Sequence, residues 1–156
     1  MMTGPPSLNT VLRDPLHSLS YRVLYADTDA GGVVYYGSYF RMFEMGRTEY
    51  LRDVLGVSYD ALQRDGIIFP VHEAYCRYTS PARYDDLLAI RTSLDGFTKV
   101  SLRFHYEITR EGEGRPIARA FTVHASVDRS GRLLRMPETL IVSLQKVFPA
   151  FSSPAR

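Results

Sequence analysis

From Tyr21 to Ala26 the chain alternates imperfectly, with Tyr21, Val23 and Tyr25 set against Arg22, Leu24 and Ala26. That spacing predicts a strand rich in aromatic and β-branched residues. The period then changes. From Ser38 to about Leu55, the residues Tyr39, Phe43, Gly46, Tyr50 and Val54 fall on one face at helical spacing, and Phe40, Met42 and Leu51 widen it. A helix this apolar wants cover on most sides, with Arg41, Glu44, Thr48, Arg52 and Asp53 marking the side left for solvent or a loop.

Beyond the helix, Gly56 suits a C-terminal cap, and Ser58 to Asp65 reads as a short second helix ended by Gly66. Largely alternating runs follow at Ile67 to Pro70, Val71 to Thr79, Leu87 to Leu94, Lys99 to Arg110 and Ile117 to Asp128. They are separated by Ser80-Pro81, Asp95-Gly96, Glu111 to Gly114 and Arg129-Ser130-Gly131, all turn formers. One helix followed by a meander of strands predicts an α+β domain with an antiparallel sheet curled about that helix. After Leu140, the residues Ile141, Val142, Leu144, Val147, Phe148 and Phe151 are apolar enough for a last strand or short helix.

The 156 residues suit one domain, expected over 20–150, with a leader over 1–19 and a fraying tail over 151–156. Gly4, Pro5, Pro6, Ser7 and Asn9 oppose regular structure in the leader, where His17 is expected to be exposed. A formal net charge of +2 is too small to build a nucleic-acid surface. Cys76 is alone, so no intrachain disulfide forms, and no Cys/His spacing suits zinc; no cofactor is implied. With no signal-like or membrane-spanning run of apolar residues, a soluble, cytoplasmic protein is expected.

Between the first strand and the long helix lies Asp27 to Phe40, where Asp27 and Asp29 precede a Gly31-Gly32 pair and a helix start near Ser38. The first N–H groups of a helix are unpaired and partly positive, so a carboxylate beside them has the makings of an acyl-transfer site. Asp and Gly also cluster in turns for conformational reasons alone, and a lone D-x-D-x-G-G specifies no more than a turn.

With its flanks the segment is more specific. Val23 to Tyr36, with Tyr39-Phe40 and Phe43-Glu44-x-x-Arg47-Thr48-Glu49, resembles the 4-hydroxybenzoyl-CoA thioesterase group of hotdog-fold proteins and, within it, the Tol-Pal-associated bacterial acyl-CoA thioesterases. The resemblance continues through Gly66-Ile67, Pro81 to Leu88, Ser101 to Phe104 and Arg135-Met136-Pro137, spanning roughly Tyr21 to Leu140. It implies a hotdog fold, thioester hydrolysis, and Asp29 as the catalytic carboxylate. It also implies that a backbone N–H at Tyr36, with Gly37 next to it, polarises the carbonyl. Tyr36 matches the hydroxybenzoyl branch, whereas many Tol-Pal-type members carry His there, which leaves subgroup and substrate open. Other hotdog enzymes place the carboxylate on the helix, so Glu49 is the alternative base.

An acyl-CoA substrate calls for surface cations, a narrow channel and an apolar pocket. The resemblance sets Lys99 against a phosphate-binding cation, with Arg83 and Arg103 nearby. Tyr35, Tyr39, Phe43 and Phe69 are candidates for the acyl pocket, although aromatic residues at these spacings also serve as plain core. His72 follows the Gly66 segment that lies near the family's active site, while His105 and His124 read as satisfied strand histidines. The family's habit implies a homodimer or homotetramer with the site at the subunit boundary. The rival readings are a non-catalytic module that binds acyl-CoA or acyl carrier protein, and a dehydratase-like enzyme, for which the expected loop histidine is absent.

Overall fold

The computed structural model describes residues 12–149. In chain order it contains β1 (His17–Arg22), a 3-10 turn (Tyr25–Asp27), α1 (Ser38–Val54), α2 (Tyr59–Arg64), β2 (Val71–Tyr78), β3 (Leu87–Phe97), β4 (Ser101–Arg110), β5 (Pro116–Ala125) and α3 (Glu138–Val147). The strands form one sheet in the order β1-β3-β4-β5-β2, and every neighbouring pair is antiparallel. The predicted α+β architecture, an antiparallel sheet packed against the long helix α1, is what the chain adopts.

Helix α1 keeps the face read from its spacing. Tyr39, Met42, Phe43, Gly46, Tyr50 and Leu51 are buried. Phe43 stacks on Tyr106 of β4 at 4.7 Å, and Tyr50 meets Phe104 edge-on at 5.8 Å. Phe40, expected to widen the buried face, is exposed instead. Gly46 sets how closely α1 approaches the sheet, since a Cβ there would drive into the hydroxyl of Thr92 and lie 3.2 Å from Ile90 Cγ2, both on β3. The helix ends where Gly56 takes a φ of +68°, a conformation glycine adopts without strain, and Ser58 caps α2 by accepting from the Ala61 N–H at 3.1 Å.

Three boundaries differ from the sequence reading. The first strand starts at His17, inside the expected leader, because Leu19 and Tyr21 face the core while Ser18, Ser20 and Arg22 face out. His17 is correspondingly covered, with Nε2 at 2.8 Å from Asp53 Oδ2 of α1, and the chain has left the strand before Tyr25. Asp95-Gly96 is a bulge within β3, and the reversal comes at Thr98 to Ser101. Asp95 is tolerated mid-strand because Arg103 and His105 of β4 each approach its Oδ2 to 3.0 Å. Ile67 to Pro70 is no strand; Ile68 only bridges Val127. The apolar tail forms helix α3, and residues 1–11 and 150–156, covering most of the leader and the tail, lie outside the described residues.

Candidate active site

The loop between β1 and α1 is built around Asp27. Its side chain is 1% exposed and accepts from Tyr21 Oη at 2.7 Å, the Leu24 N–H at 2.8 Å and Arg41 Nη2 at 2.6 Å. Burial and the hydrogen bond to Asp27 push the Tyr21 hydroxyl up to about 12, so it stays a donor. The Asp27 carbonyl accepts from the Tyr35 N–H at 2.8 Å and from Ser38 Oγ at 3.0 Å, which ties the loop's exit to the first turn of α1. Every one of these bonds is structural.

Asp29 is different. Thr28 bridges Val34, the Asp29 N–H donates to the Val33 carbonyl at 2.9 Å, and Gly32 closes the tip at a φ of +76°. The Asp29 side chain is exposed; its Oδ1 accepts from the Gly31 N–H at 2.8 Å, and Oδ2 accepts no hydrogen bond among the described residues. A Cβ on residue 31 would press on that Oδ1 at 3.1 Å, so glycine gives the carboxylate room to use the N–H. Asp29 lines a cleft of about 450 Å³ with Val33, Val34, Tyr36, Tyr39 and the Tyr78 to Pro81 segment.

At the cleft the helix begins without a side-chain cap at Gly37, and the N–H groups of Tyr36 and Gly37 have no acceptor among the described residues. Such groups, at the positive end of a 17-residue helix, are suited to a developing oxyanion. The Thr79 and Ser80 hydroxyls that line the cleft both donate to the Pro116 carbonyl, at 2.7 and 3.2 Å. Ser38 Oγ is buried and committed to Asp27, and burial pushes the neighbouring Cys76 thiol up to about 11, which keeps it protonated near neutral pH.

The structure thus brings together Asp29, Tyr36 and Tyr39, with Gly37 next in the chain, whereas Arg83 is exposed two residues beyond Pro81 and does not line the cleft. It does not bring in the rest. Tyr35 turns outward against the Tyr36 ring at 4.5 Å, and Phe43 is wholly within the core. Phe69 faces Tyr59 at 6.2 Å in a separate pocket with Glu44 and Arg47. His72 is exposed on β2, roughly 20 Å along the strand from Tyr78. Lys99 occupies the β3–β4 turn, and the length of β3, roughly 30 Å, separates it from the Asp29 end of the same chain. Glu49 pairs with Arg52 at 2.5 Å in a groove on the other side of α1 from β2.

Tyr78, Thr79 and Ser80 escaped the sequence reading. They reach the site because the Val34 N–H donates to the Ala82 carbonyl at 2.8 Å, a pairing of distant segments that no local pattern announces. Among the described residues no cluster of His, Cys, Asp or Glu could hold a metal ion, and no helix is long and apolar enough to cross a membrane.

A five-stranded antiparallel sheet about one helix, with a carboxylate loop leading into that helix, defines a hotdog domain. The chain belongs to the thioesterase-like superfamily, whose family profile matches residues 23–145. A putative esterase of Aquifex aeolicus is 32% identical over 124 residues, covering 80% of this chain and 94% of that protein. The acyl-CoA thioester hydrolase YbgC of Escherichia coli O6:H1 is 44% identical over 87 residues, 56% of this chain and 64% of YbgC, so that match spans less than two thirds of the relative. Among solved structures, the gentisyl-coenzyme A thioesterase BH1999 superposes with a TM-score of 0.73 at 26% identity, covering 80% of this chain and 99% of that one.

Proposed function

We propose that this protein hydrolyses an acyl-CoA thioester to the free acid and coenzyme A, with Asp29 as the working carboxylate. The observation that carries the proposal is the pairing of an exposed carboxylate with unpaired helix N-terminal N–H groups on one cleft. YbgC and BH1999, whose names describe thioester hydrolysis, support the reaction class.

In the proposed reaction the thioester carbonyl oxygen sits at the Tyr36 and Gly37 N–H groups, and Tyr39 and Tyr36 flank the acyl group. Asp29 acts by one of two routes. As general base it takes a proton from water, the hydroxide adds to the carbonyl carbon, and the intermediate expels CoA thiolate, which is then protonated. As nucleophile it displaces CoA thiolate directly to form a mixed anhydride, which water cleaves. Single turnover in H₂¹⁸O that labels Asp29 establishes the second route with water attacking the Asp29 carboxyl carbon, whereas water attacking the acyl carbon labels the released acid by either route.

Arg83, exposed two residues along the chain from the cleft-lining Pro81, is the same-chain candidate for the nucleotide phosphates. Lys99 serves that role only across a subunit boundary. A homo-oligomer with the site at that boundary suits the sheet, because β2, which carries Tyr78, is an edge strand whose outer side needs cover. Thiol release by wild type but not by Asp29→Asn, with both folded, is the expected result; equal rates would refute the assignment.

A further inference from the structure

Tyr78, the last residue of β2, donates from Oη to the carbonyl of Tyr36 at 2.9 Å. This contact crosses from the edge of the sheet to the start of the helix, joining residues 42 apart in sequence. The Tyr36 carbonyl and the Gly37 N–H belong to one planar trans peptide and point in opposite directions. A donor on the carbonyl therefore sets the direction of the N–H. It also polarises the amide, making that N–H a stronger donor.

The preceding peptide is held in the same way from the other side, because the Ser38 N–H donates to the Tyr35 carbonyl at 2.9 Å. Both N–H groups assigned to the oxyanion thus sit on peptides clamped through their carbonyls. The first clamp comes from the helix itself. The second, among the described residues, comes from Tyr78. Residue 37 is a glycine and the helix has no side-chain cap, so beyond the turn that the Ser38 N–H closes onto the Tyr35 carbonyl, that plane is held, among the described residues, by the Tyr78 hydroxyl.

Tyr78, although 42% exposed, has one firm neighbour. Its ring lies 5.3 Å from that of Tyr39, which is 3% exposed and anchored on α1. Burial, and beyond it the neighbouring Cys76, raise the Tyr78 hydroxyl well above the ordinary tyrosine range, so the proton stays in place across neutral pH. Tyr78 also lines the cleft alongside Asp29.

We infer that Tyr78 is a positioning residue of the active site, whose hydroxyl aims the Tyr36–Gly37 peptide at the thioester oxyanion. The inference rests on the thioesterase reading of the Asp29 cleft. It predicts a loss specific to the transition state, because the ground-state carbonyl asks less of the N–H than the oxyanion does.

The test is Tyr78→Phe, which keeps the ring on Tyr39 and removes only the hydroxyl. In the full-length protein, kcat for a CoA thioester should fall roughly tenfold, less than the ~10²–10³ of losing an oxyanion donor outright, with KM within about twofold. Affinity for a CoA trifluoromethyl ketone, which presents a tetrahedral oxygen, should fall in parallel. Affinity for a CoA thioether, which has no carbonyl, should not change. Unaltered kcat in Tyr78→Phe would overturn the inference, and so would equal losses toward ketone and thioether, which mark a structural role. Asp29→Asn, run alongside, separates the two readings. If Asp29→Asn is inactive while Tyr78→Phe is fully active, only the Tyr78 inference falls; if wild type turns over no thioester, both fall.

Discussion

Two aspartates stand two positions apart in one loop, and their surroundings give them opposite tasks. Asp27 is sealed beneath three donors, while Asp29 is exposed and holds one N–H. The sequence displays both carboxylates equally; what separates them is burial, which depends on Tyr21 and Arg41 arriving from β1 and α1. In Asp27→Asn an amide would face groups that all donate, costing about 2–4 kcal/mol of stability. In Asp29→Asn the amide oxygen can still take the Gly31 N–H, so the cost should stay within about 0.5 kcal/mol. Urea titration of both variants checks this; equal destabilisation would mean that Asp29 is also structural.

Among the elements, α1 was legible because a broad apolar face at helical spacing has few alternatives, and its observed span, Ser38–Val54, ends within a residue of the expected Leu55. The strands were legible in type but not in limits. Asp95-Gly96 carries the usual signature of a hairpin turn, yet cross-strand partners Arg103 and His105 hold the acid within β3. The depth to which α1 seats on the sheet was not legible at all, since it depends on Thr92 and Ile90 meeting Gly46. An alanine in an exposed helix position is worth about 1 kcal/mol over glycine. At Gly46 the added methyl must displace the fully buried, β-branched Thr92, and overpacking of about 1–3 kcal/mol should win. Gly46→Ala should therefore be less stable than wild type by urea unfolding; a stabilised variant would show that α1 can lift from β3 freely.

At the scale of the whole molecule, stability should depend on pH through His124. It is fully buried on β5, with Nε2 2.8 Å from Thr122 Oγ1 and Nδ1 3.3 Å from the Phe69 carbonyl. Burial, and after it the positive charge of Arg47, depress its pKa from 6.5 to about 4. Between those values the unfolded chain binds the proton and the folded chain does not. The stabilisation is therefore complete above pH 6.5 and is lost as pH falls toward 4, by at most about 3 kcal/mol. Denaturation midpoints from pH 7 to pH 4 should fall more steeply for wild type than for His124→Gln. Parallel profiles would show that His124 titrates normally. That His124 is a satisfied strand histidine is legible in the sequence, because its position in a long alternating run is visible. The depression is not legible, since it comes first from burial within the fold and then from Arg47 on α1.

The most direct test of the central claim is thiol release from short-chain, long-chain, benzoyl and hydroxynaphthoyl CoA thioesters, with wild type and Asp29→Asn side by side. The account predicts turnover of at least one class by wild type and a drop in kcat of about 100-fold or more in Asp29→Asn, at an unchanged unfolding midpoint. Undiminished turnover by Asp29→Asn would contradict it. So would a wild-type protein that binds acyl-CoA yet releases no thiol from any of them, which would identify a binding module.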